Sequence, residues 1–354
     1  MHGMGDSATG KDMLAIKALL EQDLHVDVFT IAVNGPATYF DTMDKQVDHF
    51  TELVKKEDAL AGGFNAIGFS QGSLVIRAYV QRCNDPPVKR FMSMHGPMAG
   101  VATLPQCDDG GSACKRVHFL VGVGVYSSFV QSHLAQANYY RDPLRLERYR
   151  KAAAFLPDLN KERGGYGGGY GVDTSDPGYR ERFASLERLV LVRAQNDTMV
   201  VPAESEWFGF SQDGSMEAVW GMRETPWFAS DAFGLRTLDT AGRVALVSTP
   251  GDHLEFTAAE LLDLVRTHFG RSEKEAAAAP LQEQSVPPPL VRSVPPPPPS
   301  PPVEAAQVLA WPPASRPLQA LVAVGAAGGE IAERQEAAVR TFLRNAQPAA
   351  PLVQ

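Results

Sequence analysis

Gly68-Phe69-Ser70-Gln71-Gly72 sets a serine between two glycines. G-x-S-x-G is short enough to arise by chance, so its flanks decide its meaning. Here an apolar run at 64–69 precedes the serine and a helical pattern at 72–82 follows it. A sharp strand-to-helix turn strains the serine backbone and lifts its Oγ above a sheet. Side chains at either glycine would collide with such a turn. The helix that begins beside Ser70 directs its positive end at the site, which favours an oxyanion. That is nucleophile chemistry for acyl transfer; the alternative is a serine that merely caps a buried helix.

A serine hydroxyl needs a base. Where this turn is catalytic, the chain order is serine, acid, histidine, with the last two each after a late strand. Of eight histidines, His253 fits, because it follows the strand pattern VALVS at 244–248 by a short loop. Asp197 follows the pattern LVLVRA at 189–194 and is the expected acid. Asp252 is its rival, although neighbours on one loop rarely face each other. The remaining histidines, His95 among them, read as surface or core residues. An oxyanion needs two backbone donors. Gln71, next after the nucleophile, supplies one, and His2-Gly3-Met4-Gly5 is the kind of His/Gly loop that supplies the other, at Met4.

The elements that must position these residues alternate strand and helix. Strand patterns fall at 26–33, 64–69, 90–94, 189–194 and 244–248. Helical patterns fall at 41–60, 72–82 and 257–269, the last opened by a capping box of Thr257 and Glu260. Such alternation implies a mostly parallel sheet with helices on both faces. Residues 101–185 break it: they carry helix-like stretches at 117–140 and 144–154, then the glycine-rich 164–171, and read as an inserted subdomain.

Composition changes near residue 271. Residues 271–354 hold 16 of the 27 prolines, and their seven Lys+Arg balance seven Asp+Glu, so the net charge of −8 resides on 1–270. The organisation expected is therefore one domain at 1–270 and a Pro-rich, largely disordered tail at 271–354, with a linker at 273–318 and a short helix at 329–345. Pro-rich tails can recruit partners that read polyproline. The acidic balance argues against nucleic acid, which needs a basic surface. No apolar run is long enough for a membrane span, and no signal peptide opens the sequence. No metal-binding pattern is present. Cys107 and Cys114, in a Gly/Asp/Ser-rich stretch, suit either a short disulfide or two free thiols. Cys83 reads as a small buried hydrophobe.

The sequence resembles the palmitoyl-protein thioesterase family over essentially all of residues 2–270. The resemblance is carried by HGMGDS at 2–7, FNAIGFSQG at 64–72, RAYVQRCNDPP at 77–87 and LPQC at 104–107. It continues in QANYYRDP at 136–143, FLPDLNKERG at 155–164, NDTMVVPAESEWFGF at 196–210 and GDHLEF at 251–256. It implies an α/β-hydrolase fold whose helical insertion forms an apolar groove for a long acyl chain. It implies removal of palmitate from protein cysteines in the lysosome or vacuole, or after secretion, without a cofactor. The family's catalytic positions fall on Ser70, Asp197 and His253, its oxyanion donors on Met4 and Gln71, its short disulfide on Cys107 and Cys114, and a glycosylation sequon on Asn196. Departures accompany it: the core strand that precedes HGMGDS in the family is missing, as is its signal peptide, and Cys83 lacks the family partner. Residues 119–125 and 129–134 are the expected groove lining, or else plain core. Other expectations compatible with the residues are a lipase or acyl-CoA thioesterase with the same three side chains, and an inactive acyl- or partner-binding module.

Overall fold

The computed structural model describes residues 1–31, 33, 37–103, 124–163, 178–270 and 308–309. Cys107, Cys114, the glycine-rich segment 164–171 and the expected helix at 329–345 lie outside them. The frame is one four-stranded parallel sheet: β1 (Phe64–Phe69), β2 (Val88–Met94), β3 (Arg188–Ala194) and, after two short strands β4 (Phe210–Ser211) and β5 (Val219–Trp220), β6 (Val244–Thr249), in the order β1-β2-β3-β6. Successive strand residues point to opposite faces, and each face has its own core. Phe91, Leu189 and Leu191 join one apolar cluster, whereas Met92, Met94, Val190 and Val192 join the other.

Helices cover both faces, as the alternation predicts. On one side lie α1 (Lys11–Leu24), through Met13, Ile16 and Leu20, and the C-terminal helix Ala258–Phe269, through Leu261, Leu264 and Val265. The Thr257/Glu260 capping box opens that last helix as expected. On the other side lie α2 (Ala37–Phe40), α3 (Met43–Lys56) and α4 (Gln71–Arg82). Gln71 to Gln81 of α4 are all buried, because α3 and the region between β2 and β3 both pack against it. Arg77, fully buried, fixes that packing: its guanidinium donates to the carbonyls of Met98 and Leu159.

The region between β2 and β3 contains no strand among its described residues, only five short helices: α5 (Ser128–Gln131), α6 (Ala135–Asn138), α7 (Leu146–Ala152), α8 (Leu156–Leu159) and α9 (Gly178–Ala184). The helix-like stretch expected at 117–140 is, over its described part, the two short helices α5 and α6. Gln131 explains the break: its amide donates to the carbonyls of Val125 and Ala137 at 2.8 Å each, replacing helical bonds. Val130 and Leu134, expected as groove or core, belong to the main apolar core.

Three further expectations are corrected. Residues 26–31 and 33 form no strand. The segment runs beside α1, where the Glu21 carboxylate accepts the Val28 N–H at 3.2 Å and Lys17 donates to the Val28 carbonyl, so side chains satisfy groups a ladder would otherwise use. The free edge of β1 is instead met by Met1, whose amino group donates to Ile67 at 2.8 Å and whose carbonyl accepts from Phe69 at 3.1 Å. Within the expected linker, residues 308–309 form a two-residue strand antiparallel to Phe256–Thr257. Val308 and Leu309 carry the backbone N–H groups that a ladder needs and that proline lacks. Cys83 is half-buried at the core margin, not fully buried. Among the described residues no helix is long and apolar enough to cross a membrane.

Candidate active site

β1 delivers Ser70 to the carboxyl end of the sheet, where the Ser70 N–H extends the ladder to the Met94 carbonyl at 2.9 Å. The chain then turns with φ 49° and ψ −124° at Ser70 and enters α4 at Gln71. Positive φ at a non-glycine residue stores strain, and only crowding without side chains makes the turn feasible. A Cβ on Gly68 would lie 2.7 Å from the Ser73 nitrogen, and one on Gly72 would lie 2.4 Å from the His2 carbonyl oxygen. Gly72→Ala must therefore push the His2–Gly3 backbone away from Ser70. A displacement of this kind costs on the order of 10² in kcat; turnover measured beside a melting curve separates that loss from unfolding.

The other two side chains arrive on loops after β3 and β6. His253 Nε2 lies 2.9 Å from Ser70 Oγ, and its Nδ1 lies 2.6 Å from Asp197 Oδ2. The Asp197 side chain is fully buried. Its Oδ1 accepts the N–H groups of Met199 at 2.7 Å and Val200 at 2.6 Å. Burial alone would raise the Asp197 carboxyl, but hydrogen bonds from His253, Glu206 and Val200 together hold it well below the usual carboxylate range. An ionised Asp197 only accepts, so Nδ1 carries the imidazole proton and Nε2 is left as an acceptor toward Ser70 Oγ.

Asp252 does not compete. Its carboxylate accepts from the Thr198 N–H at 2.8 Å and the Thr198 hydroxyl at 2.9 Å. With Asn196 donating to the Pro250 carbonyl at 2.8 Å, it ties the acid loop to the histidine loop. Asn196 is exposed. The two expected oxyanion donors are joined through α6: the Gln136 amide donates to Met4 Sδ at 2.6 Å and to Gln71 Oε1 at 3.4 Å. Gly3 sits against the elbow, where an added Cβ would be 3.3 Å from the Ser70 Cβ.

Sequence reasoning missed two neighbours. His95, fully buried at the end of β2 with φ 51°, accepts the Leu254 N–H on Nδ1 at 2.8 Å and so donates from Nε2 to Thr249 at 2.8 Å. Burial, then the proximity of His253, pushes it down to about 3, so it braces the histidine loop as a neutral ring. Its place at the carboxyl end of a strand was the available signal. Glu206, on the 3₁₀ turn Ala203–Trp207, had none. Asp197, Glu206 and His253 bring donor atoms within 4.8 Å of one another, as a metal site would. The 2.6 Å contact between His253 and Asp197 is a hydrogen bond with no space for an ion.

The family model described as Palmitoyl protein thioesterase matches residues 1–253. The chain belongs to the palmitoyl protein thioesterase family. Palmitoyl-protein thioesterase 1 of Caenorhabditis elegans is 34% identical over 277 residues, covering 76% of this chain and 90% of that protein. Palmitoyl-protein thioesterase 3 of Dictyostelium discoideum is 35% identical, with coverage of 72% and 83%. The lysosomal thioesterase PPT2-B of Xenopus laevis is 26% identical, with coverage of 71% and 83%. The fold class expected from the sequence is the family's: an α/β-hydrolase with a parallel sheet covered on both faces. The chain is accordingly a hydrolase of this thioesterase family.

Proposed function

We propose that this chain hydrolyses long-chain fatty-acyl thioesters of protein cysteines, palmitoyl above all, through an acyl-enzyme on Ser70. The observation that carries the reading is the continuous run from Ser70 Oγ through His253, with 2.9 Å on one side and 2.6 Å to Asp197 on the other. Ser70 Oγ forms the bond to the thioester carbonyl carbon as its proton passes to His253 Nε2. The C–S bond breaks, and the cysteine sulfur leaves with the proton from His253. A water molecule, deprotonated in turn by His253, attacks the Ser70 ester; the acyl C–Oγ bond breaks, Ser70 Oγ takes the proton from His253, and the fatty acid is released. Asp197 holds the imidazole tautomer and steadies the imidazolium. The backbone N–H groups of Met4 and Gln71 receive the carbonyl oxygen as it becomes an oxyanion.

The helical insertion is the proposed acyl site. Each CH₂ it buries contributes roughly 0.8 kcal/mol, so a palmitoyl chain can supply most of the binding. The lysosome is the proposed compartment, in line with relatives named lysosomal thioesterases, and exposed Asn196 in Asn-Asp-Thr is the proposed glycan acceptor.

The test compares an S-palmitoyl peptide, palmitoyl-CoA and a triglyceride under one condition. The reading expects the highest kcat/KM for the peptide. A wide preference for the glyceride contradicts it.

A further inference from the structure

Glu206 stands nine positions beyond Asp197, and its side chain is fully buried. Its Oε2 accepts the Ala194 backbone N–H at 2.8 Å. Its Oε1 meets no donor among the described residues, although it is sealed from water. What it faces is another carboxyl: Glu206 and Asp197 stand within hydrogen-bonding reach, in the cluster whose donor atoms span no more than 4.8 Å. Two carboxylates cannot share a hydrogen bond unless one holds a proton, and two like charges buried side by side cannot both stay ionised.

The donors around the pair decide which one keeps the charge. Asp197 receives three N–H groups, from His253, Met199 and Val200. Glu206 receives one, from Ala194. We propose that Glu206 is a protonated positioning residue, whose O–H donates to Asp197 and fixes that carboxylate against His253. This rests on the hydrolytic reading above and adds a fourth member to its relay without adding a second negative charge.

The surroundings agree. Burial, first, and then the hydrogen bond and the charge of Asp197 drive the Glu206 carboxyl well above the ordinary glutamate range. The Ala194 N–H and Arg193 act in the opposite sense. Arg193 is engaged elsewhere: its guanidinium lies 4.1 Å from the centre of the Trp207 ring and 3.5 Å from the Glu204 carboxylate. His95 is neutral, and Asp252 is bonded to Thr198. Among the described residues, the remaining titratable partner is His253 itself, on the far side of Asp197.

The sign of the pH effect follows. A carboxyl whose folded value is raised stabilises the fold fully below its unfolded value, about 4.3. That contribution is lost as pH rises through the folded value.

The experiment measures the rate at which a fluorophosphonate labels Ser70, with kcat and KM for an S-palmitoyl peptide, across pH. It uses the full chain as wild type, Glu206→Gln and Glu206→Leu. Leucine fills similar space without a donor and should lower kcat and labelling on the order of tenfold with KM unchanged. Glutamine restores both bonds, N–H to Asp197 and carbonyl to Ala194, and should recover most of that loss with the wild-type pH profile. The wild-type melting temperature should fall more steeply with rising pH than that of Glu206→Gln. A tenfold loss or a displaced pH profile in Glu206→Gln would show that the charge matters and overturn the inference, as would full activity in Glu206→Leu. A wild type that never labels Ser70 removes the hydrolytic reading, and this inference with it.

Discussion

Ser70→Ala lowers kcat for an S-palmitoyl peptide by roughly 10⁵–10⁶, to a residue of activity supplied by binding and the oxyanion donors alone. The size follows from the site, since among the described residues no other hydroxyl is bonded to His253 Nε2. The loss should fall on kcat, because the oxygen bonds to the substrate only after binding. The fold should survive, since the Ser70 N–H that bonds Met94 is backbone and remains. Steady-state kinetics with a melting curve check it. A variant that keeps more than a hundredth of wild-type turnover would place the nucleophile elsewhere.

Asp197→Asn should cost on the order of 10⁴ in kcat with little change in KM. The surrounding donors dictate the direction. Met199 and Val200 direct their N–H groups at Oδ1, so the asparagine carbonyl takes that place and its NH₂ turns toward His253. His253 Nδ1 must then accept, which puts the imidazole proton on Nε2 and aims it at Ser70. The base is lost while its position is kept. Stability changes as well. Asp197 lies far below the usual carboxylate range once His253, Glu206 and Val200 outweigh burial. It therefore stabilises the fold above its unfolded value of about 3.9 and ceases to do so as pH falls toward the folded one. The wild-type advantage over Asp197→Asn in melting temperature should shrink on acidification through that window.

The parts of the fold set by local pattern could be read from the sequence. The run 64–69, the glycines around Ser70 and the helix behind it specify a strand, a strained turn and a helix within nineteen residues, and the structure has all three. Thr257 and Glu260 announce the last helix because both halves of a capping box lie within one turn. Residues 26–33 show the limit. VDVFTIAV has strand composition, but a strand exists only beside a partner, and the Lys17 and Glu21 side chains take up the Val28 backbone instead. The same limit hid the support of the site. That the side chains of His253 and Asp197 would meet beside Ser70 could be anticipated from their order along the chain. Glu206 and His95 act only through contacts made after folding, with Ala194 and Asp197 in one case and with Leu254 and Thr249 in the other.

The most direct test of the account traps the acyl-enzyme. The full chain is mixed with an S-palmitoyl peptide, quenched in acid within a turnover and digested, and the fragments are weighed by mass spectrometry. One palmitoyl group on the fragment carrying Ser70, present in wild type and absent from Ser70→Ala, is the predicted result. Palmitate on any other residue, or steady release of fatty acid by Ser70→Ala, would contradict it.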